Sequence, residues 1–146
     1  MLFKKKFFTA EENKSIVDAI AQAEAMTSGE IRVHIEGVCR TESVLDRATE
    51  VFYHLKMNET IHQNGVLIYL SHEDHQFAII GDKGINAVVP ANFWDGTKEV
   101  MKEHFKRQEF LEGILFAIAE TGSHLKQYFP IKSNDKNELP NEISEG

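Results

Sequence analysis

Three carboxylates, Glu30, Asp82 and Asp95, stand at breaks in the chain where side chains from different segments can meet. Asp82 lies in "FAIIGDKGI", where an apolar run gives way to Gly-Asp-Lys-Gly and then to another apolar run. Two glycines around an acid and a base can expose backbone amides, a carboxylate and an ammonium together, which suits an ion site and equally an ordinary tight turn. Glu30 opens the alternating run "EIRVHIE", and Asp95 stands near the start of a later helical segment. If the strand at Gln76 runs antiparallel to its neighbours, its C-terminal end carries Asp82 to the sheet edge where Glu30 and Asn64 begin theirs, and Asp95 can join them. Oxygen donors of this kind suit a hard divalent cation, Ca2+ or Mg2+. Each residue also has a plain use: Glu30 can flank a strand, Asp82 can stabilise a turn, and Asn92 with Asp95 has the spacing of a helix cap. Lys83 can neutralise Asp82 or help hold a phosphate.

His34 and Glu36 form a second candidate. Two residues apart on a strand, they share a face, near the C-terminal end of a parallel pair, where α/β sheets usually form their crevice. Such a pair can move protons or ligate metal, although a polar face partly covered by a helix explains it as well. Cys39 follows a strand and precedes a helix, as a cysteine phosphatase nucleophile does, but the arginine that such a loop needs would fall at position 45, where Leu45 stands. Cys39 therefore reads as an incidental loop residue. His72 and His75 in "HEDH" sit in a predicted hairpin turn whose geometry separates their rings. Phosphate-binding glycine loops, the Gly-x-Ser-x-Gly elbow and His-Glu-x-x-His are all absent.

The elements that position these residues are legible from periodicity. Thr9 and Glu12 form a capping box ahead of Ile16, Val17, Ile20 and Ala23, a first helix that ends at "TSG". "EIRVHIE" alternates as a strand with Ile31, Val33 and Ile35 on one face. Val44, Leu45, Ala48, Val51, Phe52 and Leu55 make an amphipathic helix capped by Thr41 or Ser43. Val66 to Leu70 and Gln76 to Gly81 read as an antiparallel hairpin, and the first of these pairs parallel with "EIRVHIE" across the helix. A helix from Asn92 and a long buried helix ending before Pro130 follow.

The 146 residues, 42% hydrophobic and 27% charged, are enough for one domain with a core. A net charge of −7 disfavours nonspecific nucleic-acid binding. One cysteine excludes an internal disulfide and fits a reducing compartment. The N-terminal "MLFKKKFFTAEE" lacks the apolar core of a secretory signal, and no run approaches the roughly 18 apolar residues of a membrane span. We therefore expect a cytoplasmic monomer with an arm at residues 1–8 whose phenylalanines pack on the domain, one domain at 9–130, and a disordered tail at 131–146.

"SGEIRVHIE", then a helix, then "NGVLIYLSHEDHQFAIIGDKGI", then "HFKRQEFLEGILFAIAETGSHLKQYFP" resembles the TPM domain family over roughly residues 9–130. The resemblance rests on Ser-Gly-Glu-Ile before the first strand, Gly-Val-Leu opening the second, the Gly-x-x-Gly turn, and Phe-x-x-x-x-Phe-x-x-Gly-Ile from Phe105 to Ile114. It implies a three-layer α/β/α sandwich with a mixed, Rossmann-like sheet, divalent-metal binding and acid phosphatase activity on small phosphate esters. A noncatalytic, metal-stabilised module that recognises a protein partner is the alternative. Gln108 departs from the glycine common before the last helix. The absence of an apolar segment after Pro130 matches the small, soluble bacterial type.

Overall fold

The computed structural model describes residues 7–131 and 137–146. At its centre is a four-stranded mixed sheet in the order β3-β2-β1-β4, built from β1 (Glu30–Glu36), β2 (Gly65–Ser71), β3 (Gln76–Gly81) and β4 (Ser144–Glu145). β1 and β2 are parallel, from Glu30 opposite Gly65 to Glu36 opposite Ser71, the arrangement a helical crossover permits and a tight hairpin does not. β2 and β3 form the antiparallel hairpin, and β4 lies parallel to β1 on its far side.

The helices are α1 (Ala10–Glu24), α2 (Val44–His54), α3 (Lys83–Asn86), α4 (Asp95–Lys106) and α5 (Phe110–Tyr128). Thr9 and Glu12 close the capping box of α1, and Ser43 caps α2. Strand alternation then divides the core. Ile31, Val33, Ile35, Val66, Ile68, Leu70 and Ile79 pack under α1, α4 and α5, whereas Leu67, Tyr69 and Ala78 pack under Ala48, Val51 and Phe52 of α2. The result is the expected α/β/α sandwich. α1 crosses α5 so closely at Gly122 that a Cβ there would lie 2.7 Å from the Ala23 Cβ.

Three expectations need correction. The Gly-Asp-Lys-Gly segment is not a free turn: Asp82 caps the short helix α3, and a Cβ on Gly84 would run into the carbonyl oxygens of His62 and Gln63. Its glycine is there for close packing. α4 begins at Asp95 rather than Asn92, with Trp94 at the N-cap and no side-chain cap, so the Asn92 and Asp95 spacing does not cap it. The tail expected to be disordered is ordered over residues 137–146: Leu139 is buried in the α2-side core and β4 extends the sheet. Composition misleads there, because backbone hydrogen bonds to an open strand edge and one buried leucine fix a polar segment without any periodic apolar face. Residues 132–136 of that tail and 1–6 of the arm lie outside the described residues. Phe8 is buried in the core, and Phe7 stacks on His72 with ring centroids 3.8 Å apart.

Candidate functional site

Sheet topology does bring Glu30 and Asp82 to one edge. Glu30 is in register with Gly65, whose carbonyl accepts the Asp82 amide at 3.0 Å, so the two acids flank one residue of β2, two strand spacings or roughly 10 Å apart at the backbone. Asn64 stands at the same edge, its carbonyl taking the Glu30 amide at 3.2 Å and its side chain donating to Ser28 Oγ at 3.4 Å. The two carboxylates are used differently. Glu30 Oε1 accepts the amides of Glu138, at 2.7 Å, and of Leu139. Asp82 is 4% exposed; its Oδ1 accepts the Lys83 amide at 2.8 Å, while its buried Oδ2 has no partner. Asp95 is exposed on the first turn of α4. Among the described residues no group of three or more His, Cys, Asp or Glu side chains is placed to hold a metal.

Glu24 joins Glu30 at this edge, around a cavity of about 130 Å³ that Thr27, Ser28 and Asn137 also line. Its Oε2 accepts the Ile31 amide at 2.9 Å. Burial pushes the Glu24 carboxyl up to about 7 against the pull of that amide, with the Glu30 charge adding to the rise. Burial likewise raises Glu30 to about 7, opposed by the Leu139 and Glu138 amides. The one sequence signal for Glu24 is an acid in the last turn of a helix, where the macrodipole disfavours negative charge.

At the opposite end His34 and Glu36 meet as predicted, with Nε2 3.1 Å from Oε1, inside a buried network. Arg47 reaches down from α2 and grips Glu36 in a bidentate pair, Nε to Oε2 at 2.8 Å and a terminal nitrogen to Oε1 at 2.7 Å. Tyr69 donates its hydroxyl to Glu36 Oε2, and His34 Nδ1 lies 2.9 Å from Ser144 Oγ. Burial alone would raise Glu36, but the bonds from Arg47, Tyr69 and His34 outweigh it and hold the carboxyl at about 2. Burial keeps the His34 imidazole below its ordinary value, against the pull of Glu36. Ser144, His34 and Glu36 stand in the order of a nucleophilic triad. The charges of Arg47 and Arg32, however, add to burial in disfavouring an imidazolium against the pull of Glu36, so the histidine is poorly set to take a proton from Ser144. The sequence did carry a sign of Arg47: three residues after Val44 and four before Val51, it stands on the apolar stripe of α2.

The remaining candidates are structural. Asp74 accepts the Ser71 hydroxyl and, at 3.0 Å, the Cys39 amide, pinning the hairpin turn to the loop after β1. His72 stacks on Phe7, and His75 meets the edge of Phe110.

A mixed sheet between one helix and three, with a polar strand face sealed by the chain's own C-terminal segment, defines a small Rossmann-like sandwich domain. The chain belongs to the TPM domain family, which matches residues 3–123. It is similar to the BA42 protein of the psychrophilic bacterium Bizionia argentinensis, whose NMR structure is 51% identical in sequence, covers all of both chains and superposes with a TM-score of 0.91. The N-terminal domain of the cg2496 protein of Corynebacterium glutamicum shares the fold at 14% identity, over 80% of this chain and 73% of that one, with a TM-score of 0.65. No curated protein matches. No helix among the described residues is long and apolar enough to cross a membrane.

Proposed function

We propose that this TPM domain binds a divalent cation, Ca2+ or Mg2+, at the edge marked by Asp82. The supporting observation is Asp82 Oδ2, a carboxylate oxygen in a side chain only 4% exposed and without a partner. A buried carboxylate oxygen is costly unless something satisfies it, and a hard cation does so while drawing its other ligands from carbonyls and water. Glu30 is committed to the tail amides and Asp95 is exposed, so Asp82 is the carboxylate of this reading. The bound ion stiffens the edge that carries α3, and the domain acts as a metal-stabilised module for a protein partner.

Hydrolysis of small phosphate esters is the second reading, favoured by the Glu24 and Glu30 carboxyls at about 7, suited to donating or accepting a proton near neutrality. A cation there would supply Lewis-acid stabilisation of phosphoryl oxygens. One set of variants tests both readings. Ca2+ or Mg2+ should raise the melting temperature of the wild type by an amount that follows RT ln(1 + [L]/Kd), and Asp82→Asn should lose most of that rise while keeping its apo stability. An undiminished response in Asp82→Asn rejects the site. Cation-dependent turnover of p-nitrophenyl phosphate that falls in Asp82→Asn and Glu24→Gln selects the hydrolase, whereas a cation response without turnover selects the module.

A further inference from the structure

β1 turns Glu30, Arg32, His34 and Glu36 to the α2 side, and three of these four have partners. Glu30 has the tail amides, His34 has Ser144 and Glu36, and Glu36 has Arg47. The half-buried Arg32 side chain makes no hydrogen bond among the described residues, and its Nε is buried without an acceptor. Burial pushes its guanidinium below the ordinary value, with the Glu142 charge opposing. Nearby, Thr60 is 5% exposed and its Oγ1 is also buried without a partner. The two residues line one groove of about 340 Å³, between the end of α2 and the C-terminal segment. Two orphaned donors on one groove call for a ligand that accepts hydrogen bonds.

We propose that this groove binds a small monocarboxylate, its oxygens on Arg32 and on the Thr60 hydroxyl. The class of ligand follows from the walls. Lys56 adds a second positive charge, but Glu59 and Glu138 also line the groove and the Glu142 charge acts on Arg32, so the field does not favour a dianion such as phosphate. A singly charged, planar oxyanion matches the guanidinium fork. Leu55 and Leu139 supply apolar wall for the carbon end of the ligand. No part of this rests on the cation reading, since none of these residues belongs to the Asp82 site.

The test is an NMR titration of the full chain with acetate, butyrate and phosphate at matched ionic strength, with sodium chloride as control. Butyrate should give saturable shifts at Arg32 Nε–H and at the Thr60 and Lys56 amides, and should bind several-fold more tightly than acetate. Thr60→Val should weaken binding several-fold, and Arg32→Met should abolish it. The proposal is overturned if no carboxylate gives a saturable response at these residues or if Arg32→Met responds like the wild type. Phosphate outcompeting butyrate overturns it equally.

Discussion

The two faces of β1 come from one alternating heptapeptide, yet they are buried by different means. Ile31, Val33 and Ile35 meet α1 and α5 through contacts that have no direction, and any side chain of similar shape would do. Glu30, Arg32, His34 and Glu36 face α2 and the C-terminal segment, where each polar atom needs its own partner. Those partners come from separate parts of the chain: an arginine on α2, a tyrosine on β2, a serine on β4 and two backbone amides before it. The apolar face should therefore degrade gradually under substitution, while the polar face should fail by steps.

The largest step is expected at Arg47→Met, which leaves Glu36 charged and buried without its bidentate partner. Breaking one side of a buried pair costs about 3–5 kcal/mol, to be read as a fall in the urea midpoint. Ile118→Val, on the other face, should cost only about 0.5–1.5 kcal/mol. Equal losses would remove the distinction between the faces.

Deleting residues 137–146 should cost about 2–4 kcal/mol, the range for losing a buried leucine, since Leu139 is 8% exposed and β4 and the Glu30 amides go with it. A change below about 1 kcal/mol, the range of surface changes, would mean that the tail does not seal the polar face. Gly122→Ala should cost about 1–3 kcal/mol, because the new methyl would sit 2.7 Å from the Ala23 Cβ and push α1 from α5. Gly96→Ala is the control, since a Cβ there meets nothing within 4 Å.

The contrast also explains what the sequence revealed. The apolar face, the hairpin, the parallel crossover and the first two helix caps followed from periodicity and local capping, because period and backbone conformation are tied together over a few residues. His34 and Glu36 were placed together by the period of a strand, and Glu30 and Asp82 by the direction of β3. The partners were not legible in the same way. Glu30 meets the amide of Leu139 across more than a hundred residues, through a segment whose composition reads as unstructured. α3 was missed because four residues are too few for a periodic signal, and Gly84 reads as a turn former although its role is to let the chain approach the loop at Gln63. Arg47 was readable only as a polar interruption of an apolar stripe, which says that a buried partner exists but not which one.

A small effect is expected in pH dependence, where the two ends of β1 act in opposite directions. Glu24 and Glu30 have folded values of about 7, above the ordinary carboxylate value of 4.5, so the folded state holds protons there that the unfolded chain has released. Their contribution is fully present below about pH 4.5 and is lost as pH rises through about 7. Glu36, held at about 2, has the reverse sign: its contribution is present above 4.5 and lost as pH falls toward 2. His34, lowered by burial, also loses stability as acid is added. The raw profile mixes these signs, so the useful quantity is the difference between the wild type and Glu24→Gln, whose amide does not titrate. From about pH 8 to about pH 5 that difference should move in favour of the wild type by about 1–2 kcal/mol, less than the full shift implies because Glu24 is partly exposed. The chain lacking residues 137–146 should lose the Glu30 contribution to the raw profile, since its carboxylate then returns to water. A difference that stays flat with pH would show that the carboxyls around the cavity titrate near their ordinary values, and it would remove the support they give to proton transfer at that edge.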